Sequence, residues 1–234
     1  MIKLSVVAPI YNEEENINNL YQTITNAVKD KIKDYEIILV DDGSKDNSAK
    51  LIDQLAKADP HVKAVYFKDN CGQTAALWAG MREASGDYIS LIDADLQTDP
   101  RDIFTLMPYM EEYDFANGMR VRRQDTYIKK ISSRIGNGVR NKLTNDTIYD
   151  TGCPMKLMKR EVAQSYYLHE GMHRFLPTLA KMNGFKVIEV AVNHKEREFG
   201  VSKYGVFDRA FVGLMDAIVI GWLKKRVIKY KMKS

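Results

Sequence analysis

The sequence predicts an α/β chain built on a doubly wound, mainly parallel sheet, and three observations lead there. Short apolar runs rich in β-branched residues recur through residues 1–115, as buried parallel strands require. Between them lie stretches whose apolar residues return at helical spacing. Acid-rich polar clusters stand where the strands end, which is where open α/β sheets bind ligands. A chain of 234 residues, 45% hydrophobic and 28% charged, has room for one such domain with a small appendage. Those figures exclude a disordered chain and a collagen-like repeat. Two cysteines, Cys71 and Cys153, are too few for a disulfide framework, and with no secretory leader before Met1 the chain is read as cytosolic with reduced thiols.

The elements follow in order. Lys3 to Pro9 reads as a strand, and Asn12-Glu13-Glu14-Glu15 as a helix-start signal before the apolar face Ile17, Leu20, Tyr21, Ile24 and Val28. Tyr35 to Val40 is a strand ending in Asp41-Asp42-Gly43-Ser44, with Ser44 expected to cap a helix to about Ala58. A strand over Val62 to Phe67, a helix over Gln73 to Ala84 and a strand over Asp87 to Ile92 complete the alternation. From Gly118 to Asn145 the pattern loosens and basic residues crowd in; a helix is expected near His173 to Met182 and a strand over Phe185 to Val192. The last periodic segment carries Phe207, Phe211, Leu214, Met215, Ile218 and Trp222 on one stripe. Its thirteen-residue apolar run, Phe211 to Leu223, contains Asp216 and is too short to span a bilayer, which needs ~20 residues. Six of the last eleven residues are basic and none acidic, so the rest of the chain is mildly acidic despite a net charge of +4. An amphipathic helix running into such a tail reads as an interfacial anchor on an anionic membrane surface. A core helix packed on the sheet is the other reading.

Four clusters bear chemistry. Asp93-Ala94-Asp95-Leu96-Gln97 follows a strand: two carboxylates and an amide oxygen there suit Mg²⁺ or Mn²⁺ sharing its remaining positions with phosphates, while a solvated turn fits the same pattern. Asp41 is placed to accept hydrogen bonds from a ribose or base edge. The arginines from Arg120 to Arg140 suit bidentate phosphate contacts, and with Tyr127 the only aromatic among them there is little stacking surface for nucleic acid. His194, Arg197, Ser202 and Lys203 form a polar group ahead of the last helix, and neither cysteine has the partners of a nucleophile.

Together these residues resemble the family 2 glycosyltransferases, in the branch that glycosylates polyprenyl phosphates (dolichol or undecaprenyl phosphate). The markers are Val7 to Glu14, Val40 to Asp46, Asn70-Cys71-Gly72, Asp93 to Gln97, Gly118-Met119-Arg120, Ser133-Arg134, Asp150 to Cys153 and His194 to Tyr204. The resemblance implies a GT-A fold over residues 1–205, with 206–234 as the membrane-associating tail. It implies that Pro9, Tyr11, Glu13, Asp41 and Asp93 bind the nucleotide-sugar and that Asp93, Asp95 and Gln97 hold the metal. Arg120 and Arg134 would bind phosphate, Asp150 would orient or help deprotonate, and Arg197, Ser202 and Lys203 would close over the acceptor phosphate. The implied reaction is inverting transfer of a sugar from a nucleotide diphosphate to a polyprenyl phosphate, by a metal-dependent enzyme peripheral on the cytoplasmic face. Nucleic acid is not an expected partner. The chain stops at Ser234 without the spanning helices many relatives carry, which leaves room for a membrane protein partner. A saccharide hydroxyl as acceptor, or a non-catalytic membrane adaptor, are the alternatives.

Overall fold

The computed structural model of the chain describes residues 3–120, 138, 141, 146–193 and 206–226. Residues 1–123 with 150–201 form one compact unit, and 124–149 with 202–234 form a second. In the first unit the strands are β1 (Lys3–Ile10), β2 (Asp34–Asp41), β3 (Val62–Tyr66), β4 (Tyr88–Leu91), β5 (Phe115–Arg120), β6 (Lys156–Lys159) and β7 (Val187–Val192). Its helices are α1 (Ile17–Val28), α2 (Ser48–Ala58), α3 (Gln73–Glu83), α4 (Ile103–Leu106), α5 (Arg160–Gln164) and α6 (Leu176–Met182); the second unit contains α7 (Val206–Lys224).

The seven strands make one sheet in the order β3-β2-β1-β4-β6-β5-β7. The pairs β1–β2, β1–β4, β2–β3 and β5–β7 are parallel, whereas β6 runs antiparallel to both β4 and β5. The sheet is covered on both sides, and β1 shows how the sequence achieves this. Leu4, Val6, Ala8 and Ile10 join the core with Ile17, Leu20 and Ile24 of α1, while Val7 joins Ala76, Leu77 and Met81 of α3. Alternate side chains leave a strand on opposite faces, so a strand covered on both sides is apolar along most of its length.

The expected β/α alternation is present, with three local differences. Helix α1 begins at Ile17 and α2 at Ser48, each later than its start signal suggests. The residues ahead of them, Asn12 to Asn16 and Ser44 to Asn47, are instead bonded to each other, as described below. Two strands on either side of the loosened region are ones that periodicity did not reveal: β5, whose apolar pattern is interrupted by Asn117 and Gly118, and β6, four residues long. The segment from His173 opens as a short 3₁₀ turn, Met172–Arg174, before α6.

Gly43 fixes how the turn after β2 meets the loop after β3. It sits at φ +69°, and a Cβ there would lie 2.6 Å from the Asp69 carbonyl carbon and 2.7 Å from the Asn70 nitrogen. Both are backbone atoms and cannot rotate away. Gly43→Ala is expected to cost about 1–3 kcal/mol, lowering the melting temperature by roughly 2–10 °C in a thermal scan. A melting point within 1 °C of wild type would contradict this close approach.

Candidate functional site

The site is assembled at the edge of the sheet where β1, β2, β4 and β5 end. Its nucleoside-side expectation was Pro9, Tyr11, Glu13 and Asp41. The structure puts the first three at the end of β1 and just beyond it, Pro9 being paired in register with Val40, next to Asp41. The β1–α1 and β2–α2 connections are laced together. The Asn12 amide donates to Ser44 Oγ at 3.0 Å, the Glu13 amide to Ser48 Oγ at 3.0 Å, and the Lys45 amide to Asn12 Oδ1 at 2.8 Å. Asn12 takes the left-handed conformation, φ 51°, that an Asn tolerates better than most residues. Glu14 accepts from both the backbone and the side-chain amide of Asn47. The helix-start signals at Asn12 and Ser44 are thus used to clamp two loops, which is why both helices begin downstream.

The two buried aspartates after β2 divide their tasks. Asp41 accepts only long bonds from the Ser44 amide, 3.3 and 3.4 Å, and keeps acceptor capacity for a ligand. Asp42 is a strap: it accepts from the Cys71 amide at 2.7 Å, the Gly72 amide at 2.9 Å and the Asn70 side chain at 2.9 Å. Burial outweighs those bonds and raises its pKa. The strap sets the start of α3, and Gln73, the first residue of that helix, donates to Asp93 Oδ1 at 2.9 Å.

After β4 the chain turns sharply. Leu96 adopts φ 60°, a conformation that costs a branched L-residue of order 1 kcal/mol or more. The Gln97 amide bonds back to Asp95 Oδ1 at 3.2 Å. Asp93 and Asp95, two residues apart, sense one another. The Asp93 carboxyl is pushed up to about 6, first by burial and then by the Asp95 charge, with Lys156, the Gln73 amide and Arg120 acting in the opposite sense. Two crowded carboxylates with an amide two residues on are a fitting donor set for a hard divalent cation. Among the described residues there is no group of three His, Cys, Asp or Glu side chains that would hold a metal ion by itself.

Lys156 is a site residue that sequence reasoning missed. It opens β6 and pairs with Leu91 of β4 and Asn117 of β5. Because β6 is antiparallel, its first residue lies at the same edge where β4 and β5 end. The side chain is 4% exposed and its Nζ donates to the Cys153 carbonyl. Burial lowers its pKa, and the Asp93 and Asp150 charges support the ammonium. The signal available was a lysine in a strand otherwise apolar at Met155, Leu157 and Met158. On the far side of Lys156, Arg120 and Asp150 form a two-pronged ion pair, Nε to Oδ2 and a terminal nitrogen to Oδ1, both 2.8 Å. Glu189 of β7 accepts from the Asp150 amide at 2.8 Å, and the Asn117 side chain donates to the Asp150 carbonyl at 2.8 Å. Arg134, Arg197, Ser202 and Lys203 lie outside the described residues.

In the second unit, α7 turns an apolar stripe outward. Leu214, Met215, Ile218, Val219, Trp222 and Leu223 are 36–54% exposed, while Ala217 and Ile220 are buried. The stripe continues into Lys224, Lys225 and Arg226, with the Arg226 guanidinium 4.5 Å from the Trp222 ring centre. No described helix is long and apolar enough to cross a membrane.

Residues 5–167 match the family model Glycosyl transferase family 2, and the chain belongs to that family. It is 39% identical over 204 residues to the undecaprenyl-phosphate 4-deoxy-4-formamido-L-arabinose transferase of Proteus mirabilis and 40% identical to that of Photorhabdus laumondii. In each case the match takes in 86% of this chain and 63% of the relative, so the chain spans less than two thirds of these relatives' length. Among solved structures, glucosyl-3-phosphoglycerate synthase from Mycobacterium tuberculosis in complex with phosphoglyceric acid superposes with a TM-score of 0.69 at 20% identity, covering 94% of this chain and 81% of that one. A mannosyltransferase from Pyrobaculum calidifontis in complex with GDP-Man and Mn²⁺ gives 0.65 at 18%, covering 97% and 65%. The expected fold, a GT-A type mainly parallel sheet flanked by helices, is the one observed.

The crowding of Asp93 has a measurable sign. Its folded pKa, about 6, lies above the value near 3.9 of an unfolded Asp. The stability it contributes is therefore complete below about pH 4 and lost as pH rises through about 6. Asp93→Asn, neutral throughout, is expected to melt roughly 2–4 °C above metal-free wild type at pH 7.5 and level with it at pH 4. Identical melting points at pH 7.5 would contradict the crowding.

Proposed function

We propose that this family 2 glycosyltransferase moves a sugar, with inversion at the anomeric carbon, from a nucleotide diphosphate-sugar to a polyprenyl phosphate at a membrane surface. The observation that carries the reading is the locked pair of Arg120 and Asp150. A sugar hydroxyl acceptor must lose its proton, and a transferase acting on one supplies a carboxylate base. Here the carboxylate expected at the acceptor side has both oxygens committed to a guanidinium. A lipid phosphate needs no base, since phosphomonoesters lose their second proton near pH 6. The similarity to transferases named for undecaprenyl phosphate supports the same acceptor class.

Under this reading Pro9, Tyr11, Glu13 and Asp41 line the nucleoside. Asp93, Asp95 and Gln97 would hold a divalent cation, Mg²⁺ or Mn²⁺, which when bound offsets the negative charge of the diphosphate. An oxygen of the acceptor phosphate attacks the anomeric carbon, the bond from that carbon to the diphosphate oxygen breaks, and no proton is transferred. The protein's work is to hold two anionic groups in line and to stabilise the departing charge. Arg120 faces that charge with Asp150 fixing its plane, and Lys156 adds a buried positive charge behind Asp93. By family resemblance, Arg134, Arg197, Ser202 and Lys203 attend the acceptor phosphate and close the site.

Residues 206–234 would rest on the cytoplasmic face of an anionic bilayer. The exposed apolar stripe of α7 supports this reading over a helix buried along that side, and the basic residues after it suit an anionic surface at ~1 kcal/mol each. A membrane protein partner is compatible with the same face.

Two outcomes test the reading. Asp95→Ala is expected to fold normally but lose the Mn²⁺-dependent thermal shift with UDP- or GDP-sugars and at least 100-fold of transfer to polyprenyl phosphate; full activity would sink the metal assignment, and turnover of an oligosaccharide instead of lipid phosphate would favour the hydroxyl acceptor. Ile218→Glu with Trp222→Glu is expected to reduce sedimentation with phosphatidylglycerol-containing vesicles at least 10-fold, and unchanged sedimentation would remove α7 from the membrane.

A further inference from the structure

His173 is a part-buried imidazole for which the chemistry above has no use. It lies in the 3₁₀ turn Met172–Arg174, entered through Gly171 at φ +76°. Its Nδ1 is 2.6 Å from Oγ1 of Thr74. Thr74 is the second residue of α3, directly after Gln73, whose amide holds Asp93. One helical turn therefore carries, on neighbouring residues, a tie to the first aspartate of the expected metal pair and a tie to this histidine. Lys156, which acts on Asp93 and Asp150, also acts on His173.

From this juxtaposition we propose that His173 is a specificity-determining residue that reads a hydroxyl group of the donor sugar, with Thr74 fixing its ring. The inference rests on the nucleotide-sugar reading above and adds a contact to it. Three features define the ligand. Nδ1 is occupied by Thr74, and Nε2 makes no hydrogen bond to a described residue and is not a sealed-off buried atom. The ring stays neutral, since burial and the Arg174 and Lys156 charges hold its pKa down to about 3. It is thus neither a counter-ion for phosphate nor an effective base near neutral pH. Finally, the Thr74 hydroxyl either donates to Nδ1 or accepts from it, leaving Nε2 as donor or acceptor respectively. A sugar hydroxyl can answer either arrangement, whereas a phosphate oxygen can only accept.

The experiment compares nucleotide with nucleotide-sugar binding by calorimetry in the presence of Mn²⁺, using UDP, UDP-glucose, UDP-galactose and UDP-xylose alongside GDP and GDP-mannose. His173→Ala is expected to leave affinity for the bare nucleotide within twofold, to weaken the preferred nucleotide-sugar about 10-fold, and to flatten discrimination between the sugars. Thr74→Val, which leaves the imidazole but releases it, should give the same pattern with a smaller amplitude and serves if His173→Ala does not fold. Equal loss for nucleotide and nucleotide-sugar would overturn the assignment, as would unchanged binding of both. A defect confined to the KM for polyprenyl phosphate would also overturn it, by moving His173 to the acceptor. If wild-type protein binds neither nucleotide with Mn²⁺, it is the donor reading that fails, and the inference falls with it.

Discussion

Two negative charges pressed together at the end of β4 set the terms for everything around them. Asp93 and Asp95 stand two residues apart just after the strand, and burial of Asp93 sharpens the repulsion it meets from the Asp95 charge. Such an arrangement persists only where neighbouring structure compensates for it. Here the compensation comes from three directions: the Gln73 amide from the start of α3, the Lys156 ammonium from β6, and the Arg120 guanidinium from β5. None of these is local in sequence, so the charge pair effectively specifies how α3, β5 and β6 must meet.

The reversed strand gains its meaning from that requirement. Had β6 run parallel to β4, its first residue would lie at the opposite edge of the sheet. Antiparallel pairing places Lys156 level with Leu91, two residues before Asp93, and level with Asn117, three before Arg120. A buried lysine is costly unless its charge is answered. The Asp93 and Asp150 charges answer it, while Asp150 is itself paired with Arg120 and Asp93 is also held by the Gln73 amide.

Much of this was legible in the sequence, for identifiable reasons. Strands β1 to β4 are short β-branched runs bounded by polar residues, and helix α1 carries an unbroken apolar face, so period alone locates them. Asp93, Asp95 and Asp41 stood out because acids at strand ends are conspicuous in an apolar surround. What stayed hidden depends on partners remote in the chain. Lys156 acts on Asp93 in a different strand's loop, Glu189 meets Asp150 across 39 residues, and His173 meets Thr74 across 99. The start signals at Asn12 and Ser44 were read correctly as hydrogen-bonding residues but assigned to the wrong acceptors and donors, because loop-to-loop clamping uses the same side chains as helix capping. The outward stripe of α7 is a case in which periodicity gave the face and only exposure could say which way it looks.

If the site takes a nucleotide-sugar, as proposed, the strap at Asp42 carries a consequence for how that donor would be held. Asp41 and Asp42 leave the same strand one after the other, the first kept open beside the β1–α1 loop and the second tied to the residues that begin α3. The strap therefore fixes the distance between the nucleoside end of the cleft and the helical turn bearing Gln73 and Thr74, much as the bar of a caliper fixes its jaws. A sugar phosphate lacking its nucleoside, or a nucleoside lacking its sugar, would meet one jaw alone. Gauge length, as much as any individual contact, would then select which molecules stay long enough to react under the proposed reading.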